Sequence, residues 1–394
     1  MWLIGLVTTA VACGTTWVVT PPLVKLARRV GAIDHPGPRK IHADPIPRIG
    51  GLAIFLGFAA GLTFAAFATG YAVHPPGRVG YWSVLGAAAV VMLALGLVDD
   101  VRSVGFQTKF AVQVLCATAV WWAGFRVESL GIPFVAGNID VGIFSLPVTI
   151  LWVVGITNAF NLIDGLDGLA AGTALITTST IAIISLYGGR IAVSAISVAL
   201  VGALMGFLRY NFNPAQIFLG DSGSMFLGFS LAVVSIHGSQ KNVTAVAVIA
   251  PLLIMGYPIL DTSVAIARRL HAIRTQSPGG GMIYLARNAY RVFLPDRGHL
   301  HHRLLDLGLS QRSAVVSIYG VALALAAAAL ALVFTNSVKV AIILAAMLTL
   351  STLGFLAVVL ARTRVVRRRE RDLRDDTPPS QTRPAASGEA LGRG

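Results

Sequence analysis

Charge is what this sequence lacks most. Only 12% of its 394 residues are Asp, Glu, Lys or Arg, about half the roughly 25% usual in soluble globular domains. So few charges cannot cover a soluble protein of this length, which excludes an ordinary cytosolic enzyme. With 55% hydrophobic residues and a mean hydropathy of +0.75, the surplus apolar surface must face lipid. Cysteine is nearly absent. Cys13 and Cys116 both stand in apolar runs, which excludes a disulfide framework and a cysteine metal cluster. Residues 1–24 also lack any charge, and Lys25, Arg28 and Arg29 come only after them. A secretory signal carries its positive end first, so this run reads as a retained spanning helix.

Long apolar runs are what the chain has instead. A spanning helix needs about 20 mostly apolar residues. Runs of that kind lie near 3–23, 50–70, 81–99, 108–125, 146–161, 168–187, 191–208, 219–236, 244–267, 313–334 and 339–361. The expected fold is an all-α polytopic membrane protein, a bundle of about eleven transmembrane helices with ten as the alternative count. Residues 126–146, rich in Gly and alternating β-branched positions, suggest a short hairpin on one face. Residues 1–361 form the membrane domain. The tail 362–394, opening RTRVVRRRERDLRDD, has no apolar periodicity and is expected to be disordered, its basic start near anionic headgroups.

Orientation follows from Lys and Arg. Loops 24–49, 100–109, 209–218 and 268–312 with the tail hold 26 of the 31, against Arg78, Arg126, Arg190, Lys241 and Lys339 on the other side. Positive loops stay in the cytoplasm, which places the amino terminus outside and the carboxyl terminus inside. The same count removes nucleic acid as a partner despite a pI near 10.6, because the basic residues sit in short loops and the tail.

An Asp at the bilayer centre costs about 2.5–3.5 kcal/mol on the insertion scale, so acids near spans mark function. Asp99, Asp100, Asp164, Asp167 and Asp221 all fall at span ends on the cytoplasmic side, as one site drawn from separate loops would require. Asp261, after Gly256 and Pro258, is the exception, lying well inside a run. Asp99 and Asp100 close the third run in GLVDD, where carboxylates oppose the helix dipole. In NAFNLIDGLDGLAAG, Asn158, Asn161, Asp164 and Asp167 recur every three residues and share a face if the helix persists. Amides and carboxylates together suit a hard cation and a polar ligand. FLGDSGSMFLG sets Asp221, Ser222 and Ser224 where the eighth run begins, a helix start suited to an anion and a bridging metal. HLHHRL supplies His299, His301, His302 and Arg303, a set better fitted to phosphate oxygens than to zinc.

In this order, with PRIGG at 47–51 and YNFNPAQIFLGDSGS at 210–224, these motifs resemble the polyprenyl-phosphate N-acetylhexosamine-1-phosphate transferases of glycosyltransferase family 4. The His-x-His-His form resembles the WecA-like branch that uses UDP-N-acetylglucosamine. The resemblance spans about residues 15–330. It implies a multi-pass enzyme of the bacterial inner (plasma) membrane with its active site in cytoplasmic loops 24–49, 99–109, 158–168, 209–224 and 268–312. Its substrates would be a UDP-N-acetylhexosamine and undecaprenyl or another polyprenyl phosphate, with UMP released and envelope polysaccharide synthesis begun. The cofactor implied is Mg²⁺, with Mn²⁺ as the substitute, and a homodimer is compatible. By position, Asp221 would ligate the metal with Asn161 second; Asp99 or Asp100 would act as base or lipid-phosphate positioner; Asp164 and Asp167 would line the nucleotide pocket. Phe218 would stack on uracil, Asn211 and Asn158 would meet substrate, and His299, His301, His302 and Arg303 would meet sugar and pyrophosphate.

Two departures stand out. The muramyl branch carries a lysine before PxxGG where this chain has Ala43, leaving Lys40 and His42 as the nearest substitutes. The stretch after Arg274 is long and amphipathic, rich in Tyr, Leu and Arg, as a segment lying on the membrane surface would be. The alternatives are a phospho-N-acetylmuramoyl-pentapeptide transferase and, from another class, a proton- or cation-coupled transporter. A transporter binds near the midplane through broken helices, whereas these polar groups gather at one face.

Overall fold

The computed structural model describes residues 2–36, 44–70, 79–131, 138–239, 246–275 and 299–335, with scattered positions between 337 and 354. Lys40, His42, the insertion at 276–298 and the tail 362–394 lie outside the described residues, as does most of the run 339–361.

Among the described residues the fold is a helical bundle with two short hairpins. Helix α1 (Trp2–Val30) leads through a two-stranded hairpin, β1 (Ile33–Asp34) and β2 (Ile46–Pro47), into α2 (Gly50–Thr69), α3 (Val79–Val101) and α4 (Phe106–Ala123). The second hairpin, β3 (Ser129–Gly131) with β4 (Asn138–Asp140), falls in the Gly-rich stretch where one was expected. Then come α5 (Ser145–Ile163), α6 (Leu169–Tyr187), α7 (Ile191–Asn211), α8 (Gly220–Ser239), α9 (Val246–Ile254), α10 (Gly256–Thr275), α11 (Leu300–Asp306) and α12 (Gln311–Thr335). Among the described residues seven helices are long and apolar enough to cross a membrane: α1, α2, α3, α5, α6, α7 and α12. This is a multi-pass membrane protein.

Helix α7 packs along α1, α2 and α6, while α8 lies against α3 and α5. The fully buried Phe160, Phe207, Phe226 and Phe229 fill the centre, while Trp2, Phe67, Trp122 and Leu151 stand on the outside, as lipid-facing side chains do.

Several helices outrun their apolar runs. Helix α1 continues to Val30, so Lys25, Arg28 and Arg29 extend it instead of opening a loop. The single run at 244–267 is two helices, broken at Met255. The cause is proline: Pro258 in the first turn of α10 has no N–H for the Ile254 carbonyl. That carbonyl accepts the Thr177 hydroxyl of α6 at 3.2 Å instead. Helix α1 solves the same problem at Pro21, where the Tyr210 hydroxyl of α7 donates to the Trp17 carbonyl at 3.1 Å. Backbone groups freed in lipid must find such partners.

Candidate active site

The acids from separate loops do converge. The carboxylate of Asp100, in the last turn of α3, accepts the backbone N–H of Asp221 at 2.9 Å and of Ser222 at 3.0 Å. It therefore occupies the helix start of α8, which the sequence had suggested for a ligand anion. Two glycines allow this approach. A Cβ on Gly96 would meet the Ser222 backbone at 2.4 Å, and one on Gly51 the Gly223 nitrogen at 2.2 Å. The PRIGG segment is stitched to the same start: Phe218 N–H donates to the Pro47 carbonyl, and Gly50 and Gly51 donate to the carbonyls of Phe218 and Leu219.

The dipole conflict at the end of α3 is answered by Arg48. Its guanidinium donates to the carbonyls of Asp100 (2.9 Å) and Asp99 (3.0 Å) and lies 3.7 Å from the Asp34 carboxylate. A cation thus takes the orphan carbonyls of the helix C-terminus.

Asp99 faces a different partner, as adjacent helical residues should. It accepts the Val104 N–H at 2.7 Å and the Lys109 ammonium at 2.6 Å. Lys109 reaches on to Asp221 at 2.5 Å, so one ammonium sits between two carboxylates. Asn161 completes the group, donating to Asp221 at 3.1 Å and to the Ser224 hydroxyl at 2.9 Å. Asn158 is one turn away, paired with Gln113 at 2.6 Å.

The expected four-residue face on α5 does not persist. The helix ends at Ile163, and Asp164 is already outside it with ψ 51. The next helix, α6, opens from Gly168, whose φ of 80 suits glycine. Asp164 still points at the same charges. Burial first, then the carboxylates of Asp221, Asp100 and Asp167, push its pKa well above the carboxylate range. Asp167 turns elsewhere, accepting the Asn213 side chain at 2.9 Å and the Ala215 N–H at 3.0 Å. Asn211 is buried and donates to the Ile217 carbonyl at 2.9 Å. These two brace the 211–219 turn, on which half-buried Phe218 is carried.

Helix α11 brings the histidines in from the other side. His301 is buried against Gly165, where a Cβ would meet its Nε2 at 2.6 Å, and its Nδ1 has no partner among the described residues. Burial and then His302, its ring 4.4 Å away, push the His301 pKa down to about 3. His302 and Arg303 are half-buried on the same helix. His299 is bound to Asp261, 2.7 Å away.

Sequence reasoning missed Lys109, Arg48, Gln113 and Asn213. For Lys109 the available signal was its place ten residues after Asp99 on the same polar loop, but it was counted only as a topology charge.

Among the described residues no three His, Cys, Asp or Glu side chains form a complete metal cage. The donors present nevertheless fit a hard divalent cation that shares its shell with phosphate. Two carboxylates, Asp221 and Asp99, hold a cation between them, the Lys109 ammonium, and Asn161 adjoins Asp221 through its NH₂ group, so that its amide must turn to offer the oxygen to a metal. Mg²⁺ characteristically takes one or two protein carboxylates and completes its shell with water and phosphate.

Residues 81–239 match glycosyl transferase family 4. Over 305 residues the chain is 39% identical to a Bacillus subtilis (strain 168) protein named "Probable undecaprenyl-phosphate N-acetylglucosaminyl 1-phosphate transferase", covering 77% of this chain and 78% of that one. It is 38% identical over 331 residues to the decaprenyl-phosphate N-acetylglucosaminephosphotransferase of Mycobacterium tuberculosis (strain CDC 1551 / Oshkosh), covering 77% and 76%. To the undecaprenyl-phosphate alpha-N-acetylglucosaminyl 1-phosphate transferase of Yersinia pestis it is 28% identical over 314 residues, 78% of each chain. The matched length spans helices, carboxylate cluster and histidine segment together, and the chain belongs to glycosyl transferase family 4, among its polyprenyl-phosphate N-acetylglucosamine-1-phosphate transferases.

Proposed function

We propose that this chain transfers N-acetylglucosamine-1-phosphate from UDP-N-acetylglucosamine to undecaprenyl phosphate or another polyprenyl phosphate, starting envelope polysaccharide synthesis. An oxygen of the lipid phosphate forms a bond to the β-phosphorus of the nucleotide sugar. The bond from that phosphorus to the bridging oxygen breaks, and UMP leaves with it. The observation that carries this reading is the Lys109 ammonium held between Asp99 and Asp221 at the start of α8. Phosphoryl transfer needs positioning and charge neutralisation more than covalent help, and this cluster offers both.

Asp221, with the Asn161 amide, is the proposed Mg²⁺ site, and Mn²⁺ would be accepted by the same oxygens. When bound, the metal supplies neutralisation of phosphate charge. Asp99, with its carboxylate on Lys109, orients the lipid phosphate; that phosphate is already ionised near neutral pH, so proton removal is a minor demand. Asp100, both oxygens taken by amides, holds Asp221 in place. Asp164 and the brace formed by Asp167 and Asn211 border the nucleotide, Phe218 stacks on the base, and Asn158, held by Gln113 one turn before Asn161, meets the substrate. His299, His301, His302 and Arg303 meet the sugar and pyrophosphate. The site faces the cytoplasm of a bacterial inner membrane, in a bundle of about eleven spans with the amino terminus outside.

The names of the relatives support N-acetylglucosamine over the muramoyl peptide, and the gathering of acids at helix ends weighs against a transporter. The test is purified protein in lipid nanodiscs with undecaprenyl phosphate, Mg²⁺ and a panel of radiolabelled UDP-sugars. UMP release and a labelled lipid product from UDP-N-acetylglucosamine are expected. No UMP from any donor would sink the reading.

A further inference from the structure

Asp261 has no place in the cluster around Asp221, yet it is a buried carboxylate in the first half of α10, a helix whose second half carries Arg268, Arg269 and Arg274. Its two oxygens have separate tasks. Oδ1 accepts the backbone N–H of Leu300 at 2.7 Å, and Oδ2 lies 2.7 Å from Nδ1 of His299. Helix α11 begins at these residues: His299 is its N-cap, extended at φ −65 and ψ 151, and its own side chain makes no cap bond. The cap is supplied instead from α10, 39 positions away in sequence.

A helix cap needs only one acceptor oxygen. The second oxygen decides the chemistry of the ring. An ionised carboxylate only accepts, so Nδ1 of His299 must carry a proton, and in the neutral ring Nε2 is left as the acceptor. The orientation carries forward to the cluster. The His299 ring lies parallel to His301, centroids 5.7 Å apart at an interplanar angle of 11°, and His301 rests on Gly165, next to Asp164.

We propose that Asp261 is a positioning residue of the transfer reaction, fixing the Nδ1-protonated form of His299 and the start of α11 so that the histidine segment meets the substrate in one orientation. This rests on the transferase reading given above. It adds to that reading a residue of α10, a helix that contributes no side chain to the carboxylate cluster described above.

Asp261→Asn separates the two tasks. Its amide oxygen can still accept the Leu300 N–H, while its NH₂ group donates to the ring and drives the proton to Nε2. Asp261→Ala removes both. In the UMP-release assay Asp261→Asn is expected to lose kcat about tenfold or more while keeping the wild-type melting temperature. Asp261→Ala should lose kcat and melt lower. In a His299→Ala background Asp261→Asn should cost nothing further. A separate measurement needs no carboxylate variant: ¹⁵N-histidine spectra of the wild-type protein in nanodiscs, with the His299 signals assigned by their loss in His299→Gln. Protonated Nδ1 is expected.

The proposal falls if Asp261→Asn keeps kcat within about twofold, or costs its full factor again without His299. It falls equally if His299 is neutral with its proton on Nε2, a result that decides the matter even where Asp261→Asn does not fold. Absence of UMP release by the wild-type protein would overturn the transferase reading instead, and the spectrum would still report on the pair.

Discussion

The carboxylate of Asp100 accepts the backbone N–H of Ser222 at 3.0 Å, joining the last turn of one helix to the first turn of another 122 positions on. Negative charge at the end of α3 is unfavourable alone, and four unpaired N–H groups at the start of α8 are unfavourable alone. Brought together, with Arg48 covering the α3 carbonyls, the two conflicts cancel. Asp221 is fixed by this junction.

Asp100→Ala would therefore strip two amides of their acceptor inside the protein. Each unsatisfied buried N–H costs about 1–3 kcal/mol. We expect a clear fall in melting temperature together with loss of UMP release. Asp100→Asn, with one amide oxygen, should fall between. A variant that loses turnover but melts like the wild type would instead indicate direct participation of Asp100 in the chemistry.

Lys109 holds two carboxylates that would otherwise repel. Lys109→Met is expected to lower kcat roughly a hundredfold, the scale for removing one charged group aimed at developing phosphate charge. It should at the same time tighten Mg²⁺ binding, since Asp99 and Asp221 would be left without their cation. Calorimetric titration of the substrate-free protein with MgCl₂ reads this directly. Weaker binding in the variant would show that Lys109 supports the metal site instead of competing for it.

Much of this site was legible because charge is costly beside lipid. Asp99, Asp100, Asp164 and Asp221 could be grouped from their positions at the ends of apolar runs alone. Their pairing could not be read. Which of two neighbouring aspartates takes the α8 amides depends on how α3 is rotated, and that is set by the Gly51, Gly96 and Gly223 packing. Lys109 was hidden by its residue type, since a lysine at a cytoplasmic edge already has an explanation in topology. The face from Asn158 to Asp167 failed for a local reason: α5 stops at Ile163, Asp164 leaves the helix, and Gly168 at φ 80 opens α6, so spacing stopped predicting direction. The break at Met255 was foreshadowed by Pro258, but not the Thr177 hydroxyl that makes it tolerable.

The neutral ring of His301 sets a dependence of stability on pH. In the unfolded chain it takes a proton near 6.5, whereas burial and then His302 hold it neutral in the fold down to about 3. The unfolded state thus binds more protons between those values, so this residue lowers stability as pH falls through that window. At pH 5 the cost is about 2 kcal/mol relative to pH 7.5. His301→Gln removes the titration. Melting temperatures at pH 7.5 and 5 should therefore fall less in His301→Gln than in the wild type, and equal falls would refute the assignment.

Gly96 offers the most local test of the junction. A methyl group there meets the Cα of Ser222 at 2.4 Å, closer than real side-chain carbons come, and what it meets is backbone with no rotamer to yield. Gly96→Ala must push the start of α8 away from Asp100 or rotate α3. Either shift moves Asp221 relative to Lys109 and Asn161 by a few tenths of an ångström or more. Because misplacement of about 1 Å can cost a hundredfold in rate, we expect turnover to fall at least about tenfold in UMP release. Outside the junction the same change is mild, since alanine favours helix over glycine by about 1 kcal/mol. The prediction is therefore a loss of activity without a matching loss of helix content or expression. Gly86→Ala on the same helix, where a Cβ meets nothing within 4 Å, is the control expected to keep full turnover. Wild-type rates in Gly96→Ala would mean that the contact between α3 and α8 is not what places the Asp221 carboxylate.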